Sequence, residues 1–255
     1  MTTYKSTQAT ARKRIVVKLG GSTLEQLNEQ FFKNFKALQQ HYDLVITHGG
    51  GPAINRALQQ ANIASTTVNG LRVTTDDMIS IVQTTLIGEV NPYLVSQLTR
   101  AGIRAIGLNG FDAQLITCTH LDEAVYGHVG DVQAIEHEAI EQLLQAGFVP
   151  VVACIGATTA GQALNVNGDT VASEVALAIR AESLLLVTDV SGICIEDEWQ
   201  TEATKQQIDT WIEEGHIYGG MIPKVQGALD CLAAGIPTVQ IVNDQLTGTT
   251  IVGGE

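Results

Sequence analysis

Asp43 to Asn55, DLVITHGGGPAIN, constrains the fold more than any other stretch. Leu44 to Thr47 is a short apolar, β-rich run of the kind that forms a strand buried on both faces, and three consecutive glycines, Gly49 to Gly51, end it abruptly. Pro52 then stands where a helix can begin. A proline in the first turn forfeits no intrahelical hydrogen bond, and Ile54, Ala57, Leu58 and Ala61 continue at helical spacing. Strand, side-chain-free turn and helix start gather free backbone N–H groups around one point, with the positive end of the helix dipole behind them. Such an arrangement cradles an anion, most often a phosphate. The alternative is a tight, Gly-rich βα turn with no ligand, which must absorb about 1 kcal/mol of chain entropy per glycine where one glycine would do.

The pattern occurs a second time. Ile15 to Leu19 reads as a strand that runs into Gly20-Gly21-Ser22, and Ser22 with Glu25 has capping-box spacing. Leu24, Leu27, Phe31, Phe35 and Leu38 recur at three- and four-residue steps, so a helix starting near Ser22 is expected. Lys18 stands at the C-terminal end of that strand, where open α/β sheets bind ligands. A solvated strand-end lysine is the plainer reading; a second glycine cradle one βα unit later argues against it.

Farther along, Thr66 to Thr74 alternates and turns at Asn69-Gly70, which predicts a hairpin near the sheet edge carrying Arg72. A helix starts at Asp76-Asp77, and Pro92 predicts a break before a second helix that Gly102 closes. Gln114 to Val132 reads as another hairpin over the site. Leu164 to Asp169, LNVNGD, ends in an acid at a new helix start, and Asp169 serves either as a plain N-cap or as a functional acid. Lys224, in GGMIPKV, falls in the first turn of a helix, where a cation opposes the dipole by about 0.3 to 1 kcal/mol. An anion held there would offset that. The repeated strand–helix alternation predicts an α/β fold with a mainly parallel sheet of about eight strands and helices on both faces.

Composition narrows the function. Residues 1–14 hold four bases and no acids, whereas the other 241 residues carry ten bases against 27 acids. That balance argues against nucleic-acid binding. The basic start reads as a disordered tail ahead of a single domain at 15–255. It has no apolar core of a signal peptide, and no apolar run reaches the roughly 18 residues of a membrane span, so a cytoplasmic protein is expected. Cys118, Cys154, Cys194 and Cys231 show no metal or redox spacing. The absence of GxxxxGK[ST] and of GxGxxG argues against a P-loop or an ordinary dinucleotide fold.

Two glycine cradles, two isolated lysines and an acid between them suit phosphoryl transfer, where catalysis is largely positioning and neutralisation of spreading charge. A carboxylate acceptor is already ionised at neutral pH and needs no general base. His48 keeps a general-base option open.

KLGGS, ITHGGGPAIN, NGLRVT, LNVNGD, TDVSGI and GGMIPKV, in this order over residues 15–226, resemble the amino acid kinase family. The resemblance implies a three-layer αβα sandwich whose N-terminal lobe, about 15–163, binds an acyl amino acid and whose C-terminal lobe, about 164–255, binds ATP. It implies phosphorylation of the side-chain carboxylate of N-acetyl-L-glutamate, a step of arginine biosynthesis. Related readings are a kinase for a carrier-linked aminoadipate and a non-catalytic nucleotide or amino-acid sensor. By the same resemblance, Lys18 and Lys224 stabilise the transition state and Asp169 holds both. Gly20, Gly21, Gly50 and Gly51 supply backbone N–H groups, and Arg72 and Asn165 bind the α-carboxylate end of the substrate. Thr188, Asp189, Ser191 and Gly192, with His216, Ile217 and Tyr218, lie near the nucleotide. Mg²⁺ rides on the ATP phosphates without a dedicated protein cage. Asn91-Pro92-Tyr93 and LNGFDAQ depart from the family pattern on the acyl side. The two chain ends match the family's homodimers without arginine feedback, so micromolar arginine is expected not to inhibit.

Overall fold

The computed structural model describes residues 12–253. Eight strands form one sheet in the order Glu202–Thr204, Gly248–Val252, Thr238–Val242, Ser183–Val187, Arg14–Leu19, Asp43–His48, Val149–Ala153, Ala105–Leu108. From Thr238–Val242 to Ala105–Leu108 all neighbours run parallel. Gly248–Val252 runs antiparallel to Thr238–Val242, and Glu202–Thr204 follows it in parallel.

Residues of the central strands alternate between two cores. Ile15, Val17 and Leu19 pack with Phe31, Phe35, Leu94 and Leu98 from helices Glu29–Gln39 and Asn91–Arg100. Val16 packs with Val171, Val175, Val225 and Leu229 from helices Gly168–Ala178 and Met221–Ala233 on the opposite face. These two helical layers and the sheet between them make the three-layer αβα sandwich. Truncating a fully buried anchor such as Phe31 is expected to cost about 3–5 kcal/mol. A second sheet, in the order Ala163–Asn165, Ile155–Ala157, Ile116–His120, Gly130–Ile135, contains the hairpin expected over the site.

Register positions the site. Leu19 is level with His48 on one side and Val187 on the other, His48 with Ala153, and Val187 with Val242. Five neighbouring strands therefore finish along one line, and the turns after them open on the same edge, the carboxyl edge where such sheets bind ligands.

Several local expectations are corrected. The helix expected from Ser22 onward divides into a single turn, Gly21–Leu24, and the main helix Glu29–Gln39. Its cap is Asn28, whose side chain accepts the Phe31 N–H at 3.1 Å; Ser22 lies inside the short turn and caps nothing. Pro92 breaks no helix. A π-helical turn, Thr85–Val90, joins Asp76–Thr84 to Asn91–Arg100, so the chain stays helical through Pro92, directly after the wider π segment. The Asn69-Gly70 hairpin forms, as Thr67–Val68 with Leu71–Arg72, but as a separate two-stranded ribbon and not at the sheet edge.

The expected basic tail, 1–14, is corrected at Arg12, Lys13 and Arg14. Residues 1–11 lie outside the described residues. Arg14 begins the first strand and donates to Glu141 at 2.7 Å, Lys13 pairs with Glu182, and Arg12 pairs with Asp43 at 3.3 Å, so these bases are anchored to the domain. Among the described residues no helix is long and apolar enough to cross a membrane.

Candidate active site

Lys18 shares the strand face of Val16, so its side chain points toward helix Gly168–Ala178. Its ammonium lies 2.8 Å from Asp169 Oδ1 in the first turn of that helix. Asn167 is the N-cap, accepting from the Asp169 and Thr170 N–H groups at 2.8 and 3.1 Å, which leaves the Asp169 carboxylate for the lysine. Lys224, the fourth residue of Met221–Ala233, approaches from the far end of the chain. Both lysines, with Gly20, Asp169, Thr188 and Asp189, line one cavity of about 270 Å³.

The expectation that Asp169 holds both lysines is corrected here. Asp169 pairs with Lys18, and the ammonium of Lys224 sits 2.5 Å from Asp189 Oδ1. Asp189 thus supplies the anion that offsets the unfavourable lysine at the helix start, and the hydrogen bond from Lys224 holds its carboxyl below the usual carboxylate range. Lys18 is the more enclosed cation, its side chain 18% exposed against 28% for Lys224.

A second cavity, of about 190 Å³, adjoins the first and is lined by Gly49, Gly50, Gly51, Arg72, Asn165 and Gly168, among others. Gly168 is the seam: a Cβ there would lie 3.5 Å from Lys18 Cε and 4.0 Å from the Gly49 nitrogen. Close approach explains the glycines better than turn-making does. A Cβ on Gly21 would fall 2.5 Å from Pro52 Cδ and 2.8 Å from the Gly51 nitrogen, so the two glycine turns touch. One on Gly50 would fall 2.8 Å from Leu86 Cδ2. Arg72 donates to Ser65 Oγ and, at 2.5 Å, to Asn55 Oδ1, which fixes its guanidinium at the cavity wall. Asn165 donates to Thr74 Oγ1 at 3.1 Å. One cavity is thus suited to a small carboxylic acid and its neighbour to a phosphoryl group.

The remaining expected nucleotide residues stand outside the lining of the lysine cavity, on the two loops that flank it. Ser191 accepts from Asn243 Nδ2 at 3.2 Å. Gly192 has φ +119° against Thr249, a conformation and a closeness that require glycine. His216 lies 3.6 Å from Glu214, the Ile217 side chain is buried in the core, and Tyr218 is 75% exposed.

His48 is removed as a general base. It is fully buried, its Nδ1 bonds the Gly49 carbonyl at 3.0 Å, and its Nε2 meets Asn91 Nδ2 at 2.9 Å. Burial lowers its pKa to about 4, so it stays neutral and both nitrogens are occupied. Asn91 also donates to the Val151 carbonyl at 2.9 Å, which ties the start of helix Asn91–Arg100 to the sheet. Sequence reading missed Cys154 as a wall of the second cavity; burial raises its thiol to about 12 and keeps it neutral there. No spacing signal marks Cys154, because only the fold brings it under Gly168.

An αβα sandwich whose parallel strands end in touching glycine turns, with two lysines over one cavity, defines a class of phosphotransferase. The chain belongs to the amino acid kinase family, whose model matches residues 13–243. Acetylglutamate kinase from Halalkalibacterium halodurans is 42% identical to it over 247 residues, 93% of this chain and 95% of that one. Acetylglutamate kinase from Geobacillus stearothermophilus is 42% identical over 248 residues, 94% of this chain and 96% of the relative. The crystal structure of smu.665 from Streptococcus mutans superposes with a TM-score of 0.83 at 35% identity, covering 94% of this chain and 98% of that one.

Proposed function

We propose that this protein is an enzyme that transfers the γ-phosphoryl group of ATP to the side-chain carboxylate of N-acetyl-L-glutamate, the acyl-phosphate step of arginine biosynthesis. The observation that carries the reading is that Lys18 and Lys224, from opposite ends of the chain, line one cavity that adjoins the cavity of Arg72 and Asn165. A carboxylate oxygen attacks the γ-phosphorus, the bond to the bridging oxygen breaks, and its electron pair leaves on ADP; no proton moves. Two anions must meet, and cations and backbone N–H groups offset their repulsion.

Lys18, nearer the second cavity through Gly168, is assigned to the acceptor side and Lys224 to the ADP side, with Asp169 and Asp189 orienting them. Gly20, Gly21, Gly50 and Gly51 supply backbone donors. Arg72 clamps the α-carboxylate with the fork geometry a lysine lacks, and Asn165 binds the same end. Thr188, Ser191 and Gly192, with 216–218, flank the nucleotide. The lobe near 15–163 then holds mainly the acyl substrate and that near 164–255 mainly ATP. Mg²⁺ fits this donor set as a passenger on the phosphates: both carboxylates at the cavity are already engaged by lysines, so its ligands would come chiefly from phosphate oxygens and water. A homodimer in the cytoplasm completes the reading and is tested by light scattering.

The Lys224–Asp189 pair favours one competitor, a non-catalytic sensor of the same fold, because it gives the lysine a structural partner. One assay separates the readings: ADP release with ATP and Mg²⁺, with hydroxylamine trapping of the acyl phosphate, across N-acetylglutamate, glutamate, aspartate and an aminoadipate derivative. Turnover is expected with N-acetylglutamate. Turnover of another acid alone moves the substrate assignment, and no turnover with any leaves the sensor.

A further inference from the structure

We propose that His128, which lines neither cavity, is the positioning residue that sets Asn165 and Arg72 to receive the acyl substrate; the inference rests on the acyl-cavity reading above. His128 is 8% exposed, and its four hydrogen bonds tie its own segment to two others, 74–76 and 162–165. Its Nε2 bonds Asp76 Oδ1 at 2.5 Å at the start of helix Asp76–Thr84, and its Nδ1 meets Gln162 Nε2 at 3.2 Å. Its backbone N–H donates to the Thr74 carbonyl at 2.7 Å, and its own carbonyl accepts the Asn165 N–H at 2.9 Å.

Thr74 passes this on. Its buried hydroxyl accepts from Asn165 Nδ2 at 3.1 Å and donates to the Arg72 carbonyl at 3.1 Å. Asn165 through its side chain and Arg72 through its backbone carbonyl therefore each sit one hydrogen bond from Thr74, whose own carbonyl accepts the His128 N–H. The approach is as close as backbone allows: a Cβ on Gly127, at φ +66°, would lie 2.3 Å from the Thr74 carbonyl oxygen. Val129, the residue after His128, lines the acyl cavity. Imidazole suits the post because its two nitrogens point apart on a rigid ring. The carboxylate of Asp76 requires the proton on Nε2, which leaves Nδ1 to accept from the Gln162 amide.

The test uses the full chain with His128→Phe, which keeps the ring and loses both nitrogens, and with Asp76→Ala and Asp76→Asn. In His128→Phe, KM for N-acetylglutamate is expected to rise about tenfold or more while KM for ATP stays within about twofold. Asp76→Ala should follow it, and Asp76→Asn, whose amide oxygen still accepts from Nε2, should restore most of the affinity. Without substrate, hydrogen exchange of the Asn165 amide should quicken about tenfold in His128→Phe relative to the central strands. A folded His128→Phe with unchanged KM for N-acetylglutamate, or with both KM values raised alike, overturns the proposal. So does unchanged protection of the Asn165 amide, whatever the substrate is. Failure of the wild type to turn over N-acetylglutamate instead sinks the functional reading and leaves the exchange result to decide on His128.

Discussion

Replacing Lys224 with alanine separates catalysis from stability in one variant. An ammonium about 4 Å from a phosphoryl oxygen, at an effective dielectric near 20, is attracted by about 4 kcal/mol, and a side chain 28% exposed justifies no lower dielectric. Only the part realised in the transition state speeds the reaction, so about 3 kcal/mol is the working figure, roughly a hundredfold to a thousandfold in kcat. Stability should barely move. The partner, Asp189, is 69% exposed, which limits the ion pair to about 0–1 kcal/mol, and removing a cation from a helix start returns about 0.3–1 kcal/mol. The two terms oppose, leaving less than about 1 kcal/mol. Hydroxylamine trapping at saturating substrates gives kcat, and urea unfolding of the same preparation gives stability. A folded Lys224→Ala enzyme within about tenfold of native turnover would refute the assigned role, and a large loss of stability would show that the lysine serves the fold.

Three further outcomes are expected. Gly21→Ala forces a Cβ against Pro52 and the Gly51 nitrogen, so it should destabilise by about 1–3 kcal/mol and depress turnover by parting the two glycine turns; a melting temperature and kcat at native levels would show that the turns can yield. His48 is buried neutral with a pKa near 4 against about 6.5 unfolded, so its contribution is whole above pH 6.5 and is lost as pH falls from there to 4. Up to about 3 kcal/mol should disappear over that window; His48→Gln should flatten that component in urea titrations, and an unchanged slope would contradict the burial argument. Arg72→Lys should raise KM for the acyl substrate by roughly tenfold or more with KM for ATP nearly constant, and a parallel rise in both would place the arginine elsewhere.

The alternation of apolar runs and amphipathic stretches determined the layer architecture, because a strand buried on both faces reads as a continuous apolar run wherever its partners are. Gly20, Gly21, Gly50 and Gly51 were legible for the same reason: a glycine doublet or triplet between strand and helix has few physical uses. Tertiary structure decided what depends on distance between remote segments. The sequence pointed to Ser22 as the cap, and the structure places the cap at Asn28, where the helix that packs Phe31 and Phe35 against the sheet begins. Asp169 and Asp189 were both visible as acids in turns, yet their division between Lys18 and Lys224 follows from strand register and the position of helix Met221–Ala233. His48 looked like a base beside the glycines until Asn91, 43 residues away, filled its second nitrogen. Local chemistry is written in neighbouring residues, whereas partnership between charges is fixed by the sheet that carries them to one edge.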